Sequence, residues 1–205
     1  DDDLFVIRHH FLDSLSCVLS SLIRPHIRVL DIGTGAGFPG IPLKIYAPNI
    51  HVTAVDSVSK KVIFLRQLCR LLELHDIECV ASRIEHLASP SSSPSKAGKH
   101  RENQLTISKN SFDVVVSRAV GTIPYLMELT SPFLAPDGHV ILQRGRNGKQ
   151  EICDQTRFLQ ETGFQVKNMI EVHFSFFEYP RYLMVFRQRE NNKKEILTPS
   201  AYLCL

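Results

Sequence analysis

No apolar run in this chain approaches the roughly 18 to 20 residues that a membrane helix needs. The N-terminus also lacks the signal-peptide design of a basic stretch followed by an apolar one, so neither a membrane anchor nor a secretory leader is expected. The five cysteines, Cys17, Cys69, Cys79, Cys153 and Cys204, contain no C-x-x-C pair, and no histidine cluster stands at metal-ligand spacing. A zinc site and a disulfide frame are therefore not expected, and a reducing compartment suits the chain. The formal net charge is only +3, which speaks to solubility more than to function. With 205 residues, 43% of them hydrophobic, the chain can bury one good core but not two comfortable domains. A single domain over 1–205 is expected.

What is present is a regular alternation of strand-like and helix-like segments. Residues 3–23 place Leu4, Ile7, Phe11, Leu15, Val18, Leu19 and Leu22 at helical spacing, which predicts one amphipathic helix within an N-terminal region 1–24. Strands are expected at 28–32, 51–56, 77–81, 112–117 and 138–143, with helices after Pro39 and over 59–74, 123–134 and 151–162. Pro136-Asp137-Gly138 reads as a turn. The two last strands, 164–172 and 182–188, are joined too closely for a crossover helix and should pair antiparallel. Residues 89–111 turn to Ser, Pro, Lys, Gly, Asn and Gln, a composition that cannot offset its ordering entropy, so a disordered insert is expected there and a tail over 190–205. The sum is an α/β fold: a doubly wound, mostly parallel sheet with an antiparallel C-terminal pair, in which ligands bind beyond the carboxyl ends of the strands where the winding reverses.

The first strand feeds that point. Val29-Leu30-Asp31-Ile32 runs into Gly33-Thr34-Gly35-Ala36-Gly37-Phe38-Pro39-Gly40, where glycines permit backbone angles that a Cβ forbids and let a ligand lie on the main chain. Two patterns overlap. Gly35-x-Gly37-x-x-Gly40 with Asp56 matches a dinucleotide fingerprint, whereas Asp31-x-Gly33-x-Gly35-x-Gly37 matches the class I S-adenosylmethionine (SAM) pattern. Register favours the second, because Gly33 follows the strand at once and Gly35 comes two residues late. An acid at the strand end also suits a sulfonium better than a pyrophosphate. A glycine-rich turn without a ligand is the bland alternative.

Asp56, at the end of strand two, can take both ribose hydroxyls of a nucleoside, or cap the following helix. Ser82-Arg83-Ile84-Glu85 follows strand three, where an adenine edge would lie between an apolar side chain and a polar acceptor; a surface salt bridge is the alternative for Glu85. Arg118 ends strand four and suits contact with nucleic acid or one end of the cofactor, or an ion pair with Asp113. Two acid-free basic stretches, 57–72 with Lys60 and 141–150 with Arg144 and Arg146, are either solvated faces or nucleic-acid contacts. No general base is on offer, which fits an acceptor with a free lone pair such as guanine N7, for which alignment suffices.

The runs DIGTGAGFPGIPL, VDSVSKKVIFLRQL, SRIE and FDVVVSRA, with RHHFLDSL before them and RYLMVFR after, closely resemble the bacterial GidB family of small-subunit rRNA guanine-N7 methyltransferases. The resemblance covers nearly the whole chain apart from the Ser-rich insert and the last dozen or so residues. It implies a Rossmann-like class I methyltransferase with SAM as cofactor, contacted by Gly33, Phe38, Ile84, Glu85 and Arg118 and more loosely by Asp56; Gly35 belongs to the same loop. It implies small-subunit (16S) rRNA as partner. Lys60, Arg144, Arg146 and Arg181 are the candidate RNA contacts, and neither a side chain acting as a chemical catalyst nor a metal is expected. A monomer is expected, in a bacterial cytoplasm or an organelle's stroma or matrix. Competing readings are a class I methyltransferase for a protein or small molecule, a non-catalytic SAM- and RNA-binding module, and, last, a dinucleotide-dependent dehydrogenase.

Overall fold

Short β-branched strands alternate with helices, and the resulting sheet buries its central members on both faces. The computed structural model describes residues 2–88, 107–118 and 120–188. Five strands run parallel: β1 (Arg28–Ile32), β2 (His51–Asp56), β3 (Ile77–Ala81), β4 (Phe112–Arg118) and β5 (Leu134–Arg144). The last two, β6 (Phe164–Val172) and β7 (Arg181–Gln188), close the sheet, β7 lying antiparallel to both β5 and β6. The order is β3-β2-β1-β4-β5-β7-β6, so the winding reverses between β1 and β4.

Side-chain alternation along the strands separates the two layers of core. Val115, Val140, Leu142, Met184 and Phe186 pack on one face with Leu126, Met127 and Phe133. Val114, Val116, Ile141 and Leu183 pack on the other with Leu43, Ile50 and Val52. A third cluster places Val62 and Leu65 against Ala54 and Cys79. Cys17, Cys69 and Cys79 are free and buried. The described helices include none long and apolar enough to cross a membrane.

Several boundaries differ from expectation. The N-terminal segment is not one α-helix: α1 (Asp3–Val6), a π-helical stretch (Ile7–Leu12), α2 (Asp13–Leu15) and a 3-10 turn (Ser16–Ser20) succeed one another. Hydroxyls compete with the ladder there, Ser14 Oγ donating to the carbonyl of His10 at 2.6 Å and Ser20 Oγ to that of Cys17 at 2.7 Å. Helix α3 (Gly40–Tyr46) opens after the glycine loop, and α4 (Ser59–Leu71) stops short of residue 74. A helix α5 (Ile84–Ala88) follows β3 where none was expected. Helix α6 (Ile123–Thr130) ends early because β5 starts at Leu134; the expected turn at Asp137 (φ +65°) lies inside that strand, beside a register shift opposite Phe112 and Val114. The last helix is two, α7 (Gly148–Asp154) and α8 (Thr156–Thr162).

Residues 89–106 of the expected insert and 190–205 of the expected tail lie outside the described residues. At the insert's far end Ile107 is buried in the core, while 108–110 are exposed.

Candidate cofactor and acceptor site

The loop between β1 and α3 is held from beneath by one carboxylate. Asp31 is fully buried, and its Oδ2 accepts from Thr34 Oγ1 at 2.6 Å and from the Gly40 N–H at 2.8 Å, tying the two ends of the loop together. Burial pushes its carboxyl up to about 6 despite these bonds, and its Oδ1 has no hydrogen-bond partner. The glycines above divide the work. Gly33 (φ +71°) remains tied to β2 through the carbonyl of Val55 at 2.9 Å, and a Cβ on it would stand 2.5 Å from Val120 Cγ2. Gly35 (φ +61°) would meet only the carbonyl of Gly33, at 3.9 Å, and so faces open space. That is the property a ligand-bearing position needs.

Asp56 joins this loop to the next strand. Its Oδ2 accepts from the Gly35 N–H at 3.0 Å and its Oδ1 from the Val58 N–H at 2.8 Å, while Lys61 Nζ stands 3.7 Å away. Val58, not Asp56, is the N-cap residue of α4, so the capping role does not hold. The carboxylate is 7% exposed and borders a cavity of about 290 Å³, lined also by Gly33, Ser82, Ile84, Glu85, Val120 and Leu129. Apolar walls of Ile84, Val120 and Leu129 facing Asp56 and Ser82 suit a nucleoside, with a flat base on one side and ribose hydroxyls on the other. Tyr125 donates its O–H to Glu85 Oε1 at 2.7 Å, which holds the Glu85 carboxyl below its ordinary range.

Gly33, Asp56, Ile84 and Glu85 are therefore brought together, with Gly35 bonded to their rim. Phe38 and Arg118 stand apart from the cavity lining and against each other, the guanidinium 4.9 Å from the ring centre. Arg118 also lies 3.4 Å from Asp13 Oδ2 and from the carbonyl of His9, and 3.3 Å from His10 Nδ1. It makes no pair with Asp113, which sits at the other end of β4 and accepts from the Arg28 N–H. Sequence reasoning missed Asp13. It is 6% exposed, faces Arg118 and also Arg181 Nε at 3.8 Å, and its burial raises its carboxyl above the ordinary value against the pull of both arginines. Gln143 Nε2 anchors the same turn, donating to the Asp13 carbonyl and to Ser16 Oγ at 2.9 Å. The available signal was Asp13, Ser14 and Ser16 together within an otherwise apolar helical run.

Of the candidate RNA contacts, Lys60 and Arg146 are exposed, and Arg181 is partly so. Arg144 is a correction. It is 9% exposed, donates to the carbonyls of Val120 (3.2 Å) and Gly121 (3.0 Å), and pairs with Glu151 at 3.1 Å, so it braces the β4–α6 connection and has no face for a phosphate.

The dinucleotide reading also fails on geometry: the Gly40 N–H that a pyrophosphate would need is bonded to Asp31, and two carboxylates flank the loop. A larger cavity of about 360 Å³ lies at the opposite edge, near Arg24, Asp113 and His139. Among the described residues no group of His, Cys, Asp and Glu could hold a metal.

The chain is similar to known proteins in sequence and in fold. The chain is 40% identical over 179 residues to the ribosomal RNA small subunit methyltransferase G of Geotalea uraniireducens, covering 87% of this chain and 73% of that protein. It is 33% identical to the protein of the same name from Alkaliphilus oremlandii, covering 98% and 76%. In fold it is similar to a SAM-dependent methyltransferase from Aquifex aeolicus, at a TM-score of 0.62 and 19% identity over 90% of this chain and 94% of that one. The family pattern described as rRNA small subunit methyltransferase G matches residues 3–176, and the chain belongs to this family, GidB.

Proposed function

We propose that this chain is a SAM-dependent methyltransferase acting on N7 of a guanine in small-subunit rRNA. The observation that carries the reading is the convergence of Gly33, Asp56, Ile84 and Glu85 around one cavity at the point where the sheet reverses. When bound there, the cofactor supplies an electrophilic methyl group on a sulfonium.

The residues present fit that group. Gly35 leaves open space for it, and Asp56 is fixed by two backbone bonds with its remaining lone pairs available to ribose hydroxyls. Ile84, Val120 and Leu129 exclude water from the base. The unpartnered Oδ1 of Asp31 adds a negative edge beneath the cationic end. Phe38, His10 and Arg118 pack on one another apart from the cavity lining.

Guanine N7 carries a free in-plane pair, so the chain has to align the base and has no proton to remove before bond formation. That agrees with the ionisable residues of the site: Asp56 is occupied by backbone N–H groups and Glu85 by Tyr125. Lys60, Arg146 and Arg181 would hold phosphates. The same reading makes the protein a monomer working in a bacterial cytoplasm or an organelle's interior, which sedimentation and fractionation check. The decisive experiment is incubation with tritiated SAM and small subunits, or their rRNA, from a strain lacking the modification. Label at guanine N7 is expected, and label elsewhere or none overturns the assignment.

A further inference from the structure

Four aromatic residues, Phe174, Phe176, Phe177 and Tyr179, fall in the connection 173–180 between β6 and β7. Because β7 runs antiparallel to β5, pairing Tyr182 with Arg144, its first residues stand at the carboxyl edge of the parallel strands. The connection therefore borders the same edge as the glycine loop, and the cofactor reading uses none of its rings.

The rings form a connected set. Phe176 lies 5.0 Å from Phe174 and 5.1 Å from Phe177 between ring centres, and Phe177 meets His9 at 4.7 Å. Arginines lie over them: Arg181 at 4.1 Å from Phe177, Arg146 at 4.9 Å from Tyr179, and Arg8 at 5.7 Å from Phe176. Among the described residues, Arg8 and Arg146 pair with no carboxylate. The acids nearby are Asp13, which Arg181 Nε meets at 3.8 Å, Glu178, within the connection, and Glu171, which is engaged by Lys149 at 2.9 Å and His173 at 3.0 Å.

Packing alone does not account for this set. None of the four rings belongs to the buried core: Phe174, Phe176 and Phe177 are half-buried and Tyr179 is 45% exposed. Alternating flat rings and guanidinium planes are instead what unpaired RNA bases stack on, with the cations also meeting phosphates.

We propose that the 173–180 connection, with Arg8, Arg146 and Arg181, is a base-stacking platform for the unpaired nucleotides that flank the methyl acceptor. This rests on the reading of the chain as an rRNA methyltransferase and adds the surface that grips the RNA. Bases stack on Phe176 and Tyr179, and the arginines extend the stack or hold the backbone.

The test uses the full chain, naked small-subunit rRNA, assembled small subunits, and S-adenosylhomocysteine binding as a control for the intact cofactor site. Phe176→Leu keeps apolar volume but removes the π-face, and Tyr179→Ala changes an exposed side chain. Each is expected to raise the Kd for naked rRNA, and the KM for it, about tenfold, with S-adenosylhomocysteine affinity unchanged. Arg146→Gln is expected to reduce the slope of log affinity against log salt by about one. Affinities for rRNA within twofold of wild type in both ring variants would overturn the platform. So would a defect on assembled subunits only, which would mean a protein contact, or loss of S-adenosylhomocysteine binding, which would mean a packing role. A wild-type chain that binds S-adenosylhomocysteine but no rRNA would overturn the substrate reading and the platform with it.

Discussion

The carboxylate of Asp56 is hydrogen-bonded to the backbone of Gly35, 3.0 Å from its nitrogen, so the end of β2 is tied to the crest of the loop after β1. One side chain thus shapes the loop and presents acceptors to the cavity. Asp56→Ala should weaken S-adenosylhomocysteine binding by about ten- to a hundredfold, the worth of hydrogen bonds to a charged acceptor. Asp56→Asn, which keeps one acceptor, should fall between Ala and wild type. Calorimetric titration of the three proteins checks the order, and equal affinities would remove Asp56 from the site.

The glycines of the loop make separable predictions. Gly33→Ala drives a Cβ to 2.5 Å from Val120 in a left-handed conformation, so both stability and cofactor binding should drop. Gly35→Ala has open space around it and costs only the left-handed strain, about 1 kcal/mol, yet the new methyl stands where the ligand would lie. Its melting temperature should change little while S-adenosylhomocysteine affinity falls more than tenfold. Thermal melts with and without the ligand distinguish the two.

Asp31 sets a pH dependence. Its carboxyl is pushed by burial to about 6 from an ordinary 3.8, so between those values the native protein holds more protons than the unfolded chain. The contribution of this group therefore favours the fold at low pH and is lost as pH rises through about 6. Across that window it amounts to up to about 3 kcal/mol. Asp31→Asn removes the titration while keeping an oxygen for Thr34 and Gly40. Urea unfolding without ligand should show the stability of wild type, relative to this variant, declining from pH 4 to pH 7. A pH-independent difference would contradict the buried, proton-binding carboxyl.

Asp13 holds the N-terminal segment to the sheet through Arg118 and Arg181. Asp13→Asn leaves two arginines facing a neutral group and should cost about 1–3 kcal/mol. The signature is local: amide exchange over 7–16 should quicken, with little change in β1 and β2. Uniform acceleration across the chain would mean that Asp13 supports the whole fold and not this segment.

Much of the cofactor half was readable beforehand, because β1, β2 and β3 carry β-branched residues and run into turns at Gly33, Asp56 and Ser82, whose types mark them. Helix α5 was not, since Ile84–Ala88 is too short for helical periodicity to register. Arg144 misled because a run of like charges in sequence says nothing about which member is buried, and this one is spent on two carbonyls. The N-terminal helix was legible as a hydrophobic stripe, but its π-helical and 3-10 turns depend on serine hydroxyls and on partners, Arg118 and Gln143, more than a hundred residues away in the chain. Phe38 and Arg118 were each named as cofactor contacts from their motifs, but their contact with each other needed coordinates.

The position of β7 between β5 and β6 has a consequence for biosynthesis. As the chain emerges from its N-terminus, β1 to β3 can find one another early, but β6 pairs with β7 alone among the described strands. Until residues 181–188 are made, β6 is a naked edge with nothing to join, and the aromatic connection that follows it has no second anchor. The half that takes the methyl donor can thus be finished while the half that grips the acceptor is still being translated.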